Sequence, residues 1–155
     1  MKHLILFRHA KAERKAESGE DFDRALTKRG KYDAELMGRV LAESGVRIDA
    51  AVVSSAKRTR ETWEQAGAAF PGAAVAYDRR LYEAAPKTLL QAAEAELKRV
   101  GSVVVVAHNP GVQELAIALL KQGGSNGDLA RAQAGFPTGA IAVFTVADDG
   151  AMSEA

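Results

Sequence analysis

Two short, almost uninterrupted apolar runs constrain the fold of this chain more than any other feature. They are HLILF at 3–7 and SVVVVA at 102–107. A strand with one face in water alternates apolar and polar residues, whereas continuous apolar runs are typical of strands buried on both faces, as in a parallel sheet. DAAVVS at 49–54 and AIAVFTV at 140–146 are similar, and AAVAYD at 73–78 is a weaker fifth candidate. The chain therefore predicts four or five strands of a buried sheet.

Helical patterns fill the intervals between these runs. The first helix is predicted to begin after Thr27, an N-cap, and to end at Gly45. Its apolar face is predicted to comprise Leu36, Met37, Val40 and Leu41. Further helices are expected at 56–69, at 86–99 and from Pro110 to Gly123 and Gly124. Strands that alternate with helices predict βαβ units, and so an α/β fold: a three-layer α/β/α sandwich with a mostly parallel central sheet.

Two segments carry neither pattern. KAERKAESGEDFD at 11–23 is rich in charge, which favours a solvated connection after the first strand. GGSNGDLARAQAG at 123–135 is rich in glycine and polar residues, which favours a mobile loop. Because the sequence shows no internal repeat and no interdomain linker, we expect one domain over residues 1–155.

Composition excludes several classes of protein. The chain has 155 residues, no cysteine and a formal net charge of +1, so we expect no disulfides, no cysteine-based zinc site and no nucleic-acid partner. The longest apolar run is far shorter than the roughly 20 residues that span a bilayer, and the N-terminus lacks a secretory signal, so we expect no membrane partner. These features favour a cytoplasmic location.

Chemistry-bearing residues follow three of the predicted strands. The first strand ends in Arg8 and His9, the second is followed by Lys57, Arg58 and Arg60, and the fourth ends in His108 and Asn109. Ligands of parallel sheets bind beyond the carboxyl ends of the strands. Cations gathered there, in a nearly neutral protein, predict an anion site, and the planar guanidinium of arginine suits phosphate.

Each of these residues also has an ordinary structural interpretation. A lone histidine at a strand end is more often a surface or packing residue, and arginines on a helix usually face water. Two histidines do not complete a metal site, and nearby arginines would repel a divalent cation, so we expect no metal. The chain also lacks the G-x-S-x-G elbow of serine hydrolases and the lysine-containing P-loop.

The order of several motifs strengthens the phosphate interpretation. LFRHAKAE, RALTKRG, SSAKRTRET, VVVVAHNPG and FPTGAIA, taken together, resemble the histidine phosphatase superfamily, and specifically its small SixA-type phosphohistidine phosphatases. The resemblance runs from about residue 3 to residue 146 and implies a phosphoglycerate-mutase-like fold. It also implies that His9 is a nucleophile that becomes phosphorylated, that Arg8 and Arg58 clamp the phosphoryl oxygens, and that His108 completes the pocket. No cofactor is implied.

Three positions refine this picture. Many relatives have glycine after the Arg-His pair, whereas this chain has Ala10, which is familiar among SixA-type members. Glu83 is the candidate for the general acid of the superfamily, with a surface role as its alternative. Asn109 lies at a helix start, where it could help to bind phosphate. The intervals from Arg58 to Glu83 and from Glu83 to His108 leave no room for a lid insertion, which predicts an exposed site.

Three functions remain open at this level. The leading hypothesis is a metal-independent phosphatase that hydrolyses phosphohistidine on a protein through a covalent intermediate on His9. The first alternative is a broad phosphomonoesterase for small phosphorylated metabolites, which a functional Glu83 would favour. The second is a weakly catalytic module that binds a phosphorylated ligand. A domain with coincidental strand-end histidines is the alternative that involves no phosphate.

Overall fold

The computed structural model describes residues 1–155 and contains six strands. They are β1 (Lys2–Arg8), β2 (Ala50–Ser54), β3 (Ala74–Asp78), β4 (Ser102–Ala107), β5 (Ile141–Val146) and β6 (Met152–Glu154). They form one sheet in the order β3-β2-β4-β1-β5-β6. Strands β1 to β4 are mutually parallel, and β5 is antiparallel to both of its neighbours. The predicted α/β fold with a mostly parallel sheet is confirmed.

Five helices cover the two faces of this sheet. They are α1 (Lys28–Glu43), α2 (Lys57–Ala66), α3 (Pro86–Leu97), α4 (Gly111–Gly123) and α5 (Asn126–Ala134), and short 3-10 turns lie at Asp21–Asp23, Gly67–Ala69 and Arg79–Leu81. Along β4, Val103 and Val105 pack in one core with α3 and α4. Val104 and Val106 pack in a second core with α1 and α2. Because successive strand residues point to opposite faces, the continuous valine run feeds both layers.

The segment 123–135 corrects one prediction. It is not a loop, because residues Asn126–Ala134 form α5. The Ser125 side chain accepts a hydrogen bond from the Asp128 amide, which is an N-cap that the glycine-rich composition obscured. The last strand, β6, was also not predicted, since MSE is too short to show a period.

The buried face of α1 corrects a second prediction. Leu36 and Val40 are 36% and 49% exposed, and Met37 is half-buried, so of the four predicted residues only Leu41 lies in the core. The buried face instead consists of Gly30, Ala34, Gly38 and Leu41. A side chain at Gly38 would overlap the backbone of Ala66 in α2. Close contact between the two helices therefore selects small residues for the interface and leaves larger apolar ones outside.

None of the helices in the structure combines the length and the apolar character needed to cross a membrane.

Gly30 allows a test of a second close contact of α1, which is made with the backbone of Lys11 in the segment after β1. A Cβ atom there would overlap the carbonyl oxygen of Lys11, which accepts the Thr27 amide at 2.9 Å. We expect Gly30→Ala to lower the free energy of unfolding by about 1–3 kcal/mol in urea titrations, because the backbone must shift. Gly127→Ala in α5 is the matched control, since nothing lies within 4 Å of its added methyl group. Equal stability of the two variants would contradict this account.

Candidate active site

The carboxyl ends of β1, β2 and β4 meet at one edge of the sheet. Their parallel register brings His9 and His108 together, with 5.4 Å between the ring centroids. Arg58, in the first turn of α2, joins them, and all three side chains are buried. The structure thus brings together four residues singled out in the sequence: Arg8, His9, Arg58 and His108.

His9 is held in one tautomer. Its Nδ1 lies 2.7 Å from the carbonyl oxygen of Ala10. A carbonyl can only accept, so Nδ1 carries the proton and Nε2 keeps its lone pair. Burial lowers the pKa of His9 to about 4, and the charges of Arg58 and Arg8 act in the same direction. Near neutral pH the ring is therefore uncharged and presents an unprotonated nitrogen, as a nucleophile requires.

His108 is held through Nε2, whereas His9 is held through Nδ1. Its Nε2 lies 2.8 Å from Oγ of Ser54, the last residue of β2. Burial lowers the pKa of His108 to about 3, with a smaller contribution from the positive charge of Arg58. When the Ser54 hydroxyl donates to Nε2, the neutral ring carries its proton on Nδ1. That Nδ1 is buried and has no partner in the protein.

Each arginine binds the protein through terminal guanidinium nitrogens, one in Arg8 and both in Arg58, and leaves its Nε without a protein partner. Arg8 donates from Nη1 to the Phe136 carbonyl at 3.0 Å. Arg58 donates from Nη1 and Nη2 to the carbonyl and carboxylate oxygens of Asp21, at 2.8 and 3.0 Å. The Nε atoms of both side chains are buried without a partner. Buried donors are almost always satisfied, so these two and His108 Nδ1 suit the oxygens of an anion.

Asp21 is the main site residue that sequence reasoning missed. It lies in the charged segment 11–23, which was expected to be a solvated connection. Its carboxylate accepts from Arg58, from Arg24 at 2.8 Å, and from the hydroxyl of Tyr82. The Tyr82 and Arg24 hydrogen bonds hold the pKa of Asp21 well below its usual range. No local pattern distinguishes this aspartate from its charged neighbours.

Two residues that follow Arg58 on α2, Glu61 and Thr62, hydrogen-bond to backbone amides of the segment after β1. Thr62 Oγ1 accepts the amide of Ala10 at 3.0 Å and donates to the Arg58 carbonyl at 2.7 Å. Glu61 accepts the Leu26 amide at 2.8 Å. Helix α2 therefore supplies an arginine to the site and fixes the two ends of the loop that follows β1.

The FPTG motif supports the other side of the site. The Gly139 amide donates to the carbonyl oxygen of His9 at 2.9 Å, and the residue has a φ of 80°, which glycine adopts without strain. The Phe136 carbonyl accepts from both Arg8 and Asn109, the latter at 2.9 Å. The Asn109 amide nitrogen is thus bound to the protein, and its Oδ1 is the buried atom without a partner. Phosphate binding by Asn109 stays a prediction.

Glu83, Lys57 and Arg60 lie outside this cluster. Glu83 is exposed on the turn after β3, with a φ of 56°, and its side chain makes no hydrogen bond or ion pair. Lys57 and Arg60 are exposed on α2, whereas Arg58 between them points inward. A role of Glu83 as general acid also stays a prediction.

The two neutral histidines make stability depend on pH. Their folded pKa values of about 4 and about 3 lie below the ordinary 6.5, so unfolding takes up protons between these values. The contribution of each neutral histidine to the free energy of unfolding is complete above pH 6.5 and is lost as the pH falls. From pH 7 to pH 5 we expect a loss of about 2 kcal/mol for each histidine, measured in urea. His9→Asn should remove about half of this dependence, and a flat profile would contradict the assignment.

Comparison with known proteins agrees with this geometry. The sequence profile of the histidine phosphatase superfamily (branch 1) matches residues 4–99. An uncharacterized protein of Mycobacterium leprae is 36% identical over 127 residues, which cover 82% of this chain and 77% of the relative.

Two solved structures extend the likeness. A crystal structure from Agrobacterium tumefaciens, provisionally described as the phosphohistidine phosphatase SixA, is 33% identical with a TM-score of 0.83, covering 94% of this chain and 92% of that one. A phosphoglycerate mutase from Plasmodium falciparum, at 20% identity, shares the fold with a TM-score of 0.69, covering 99% of this chain and 88% of that one. This confirms the phosphoglycerate-mutase-like fold. The chain belongs to the histidine phosphatase superfamily, as a phosphatase of the SixA type.

Proposed function

We propose that this protein is a metal-independent phosphatase that removes phosphate from phosphohistidine on a partner protein, through a covalent phosphohistidine on His9. The observation that carries the proposal is the fixed tautomer of His9, whose bond to the Ala10 carbonyl leaves Nε2 unprotonated beside two arginines. Phosphoryl transfer depends mainly on positioning and on neutralising oxygen charge. Arg8 and Arg58 supply that charge without a metal ion.

The reaction then has two balanced steps. His9 Nε2 attacks phosphorus, a P–N bond forms, and the P–N bond to the substrate imidazole breaks as its electron pair returns to the leaving nitrogen. The leaving ring has already taken a proton from solvent on its other nitrogen, so it departs neutral. Water then attacks the phosphorus on His9, which releases inorganic phosphate and restores the free imidazole.

The lack of a protonated carboxyl group among these residues favours phosphohistidine over an ester. An alkoxide leaving group needs a proton from a positioned acid. Asp21 is held in the ionised state by Tyr82, Arg24 and Arg58, and the exposed Glu83 side chain makes no hydrogen bond or ion pair with these residues. An imidazole that is protonated on its far nitrogen leaves without such help. The turn between β3 and α3 is short and inserts no lid, which suits a phosphoryl group on a protein surface.

The test compares two substrates in the presence of EDTA. We expect rapid loss of phosphate from a phosphohistidine-bearing phosphocarrier protein, slow hydrolysis of para-nitrophenyl phosphate, and the same rates in Glu83→Gln and wild type. Efficient ester hydrolysis that Glu83→Gln abolishes would establish the phosphomonoesterase instead. Activity that EDTA removes and a divalent metal restores would refute metal independence. Binding of vanadate without turnover of either substrate would indicate a binding module.

A further inference from the structure

Two aromatic rings, those of Phe22 and Tyr82, lie beside His108 and Arg58 of the candidate site. The Tyr82 ring meets the His108 ring edge to face, with centroids 5.5 Å apart, and lies 5.9 Å from the guanidinium carbon of Arg58. Phe22 meets Tyr82 edge to face at 5.1 Å. Arg79 covers the Phe22 ring at 4.3 Å and makes no ion pair. We call Phe22, Tyr82 and Arg79 the aromatic wall.

The aromatic wall borders the pocket on the side of His108 and Arg58. In-line displacement places the leaving atom opposite the attacking nitrogen across phosphorus. His9 is 6% exposed, so the opposite side of phosphorus is the mouth of the pocket. Phe22 and Tyr82 are each only half-buried: Phe22 lies in the 3-10 turn at Asp21–Asp23, and Tyr82 directly follows the turn at Arg79–Leu81. Part of each ring is therefore exposed, although Arg79 lies over the Phe22 ring.

We propose that the aromatic wall is the leaving-group subsite and selects a planar aromatic ring bonded to the phosphoryl group. This inference rests on the proposed function, for which that ring is the imidazole of the substrate phosphohistidine. An imidazole is a planar ring, which can pack against an aromatic side chain by an offset or edge contact. Phe22 is a specificity residue in this account, because it contacts the leaving ring and none of the phosphoryl-binding groups. Tyr82 has a second task, since its hydroxyl also holds Asp21.

The experiment uses two substrates that each carry a P–N bond, a phosphohistidine peptide and phosphoramidate, which has no ring. We expect Phe22→Leu to lower kcat/KM for the peptide about five- to tenfold more than kcat/KM for phosphoramidate, the size of one ring contact. Tyr32→Leu, on an exposed tyrosine of α1, is the matched control and should leave the ratio unchanged. Tyr82→Phe keeps the ring and should also keep the ratio, even if both rates fall. Far-ultraviolet circular dichroism and vanadate affinity show that each variant is folded with its phosphate pocket formed.

The outcomes separate this inference from the proposed function. An unchanged ratio in Phe22→Leu, with a wild type that prefers the peptide, would overturn the leaving-group subsite alone. A wild type without preference for the peptide would overturn the phosphohistidine substrate. Phenyl phosphate and methyl phosphate then replace the pair, and a selective loss on phenyl phosphate in Phe22→Leu would support the aromatic wall, while equal losses would refute it.

Discussion

Replacing His9 with asparagine is expected to lower kcat/KM for every phosphorylated substrate by about four orders of magnitude or more, as the loss of a covalent nucleophile does. The asparagine amide can still donate to the Ala10 carbonyl, so the loop keeps its anchor. What disappears is the unprotonated Nε2. In wild type, a rapid quench into alkali, in which phosphohistidine survives, should trap label on the enzyme from a radioactive substrate. The variant should trap none.

His3→Asn is the matched control for this measurement. His3 lies in the same strand, β1, but outside the site, so its replacement should leave turnover and labelling unchanged. Labelling of His9→Asn at the wild-type level would move the covalent intermediate to another residue. Full activity of His9→Asn without labelling would mean direct attack by water.

The second large effect is expected for Arg58→Lys, with kcat/KM about 10²–10³-fold lower and little change in stability. Arg58 donates to Asp21 from two nitrogens, and its buried Nε, which has no partner in the protein, is the donor that we propose for the phosphoryl group. An ammonium group is a single point charge and cannot do both, so lysine either stays on Asp21 or leaves it for the phosphoryl group. We expect the loss mostly in kcat, because the charge that develops on the transferring group is no longer matched.

Arg60→Lys makes the same change two residues along α2 on an exposed side chain and should behave as wild type. Asp21→Asn separates charge from position: it keeps an acceptor for Arg58 but removes the negative charge, and a loss smaller than that of Arg58→Lys is expected. Wild-type kcat in Arg58→Lys would show that this guanidinium only holds the loop at Asp21.

The fold and the cluster of Arg8, His9, Arg58 and His108 could be predicted because their signals are local. Buried parallel strands are continuous apolar runs, and residues that follow such runs must meet at one edge of the sheet. The choice of Arg58 comes from the resemblance to the family motif, and the helical period adds only that Arg60, two residues along, points elsewhere.

Two of the missed features depend on contacts between distant segments. Asp21 acts through Arg58 and Tyr82, which are 37 and 61 residues away in sequence. The interface of α1 is set by how closely α2 approaches, so Gly38 is buried while Val40 is exposed. Neither can be deduced from a single window of sequence. Helix α5 is a different case, because its Ser125 N-cap is a local signal that the glycine-rich composition of the stretch obscured.

The hydrogen bonds of Glu61 and Thr62 bear on how sequences of related chains are interpreted. These two side chains hold backbone amides of Leu26 and Ala10 and touch no reacting group. A descendant that lost its phosphatase activity would still need both of them to keep the same architecture, whereas His9 would be free to change. The Glu-Thr pair is therefore a marker of shared ancestry and shape, whereas the residues of the candidate site, His9 above all, would report on whether a homologous chain is a working enzyme.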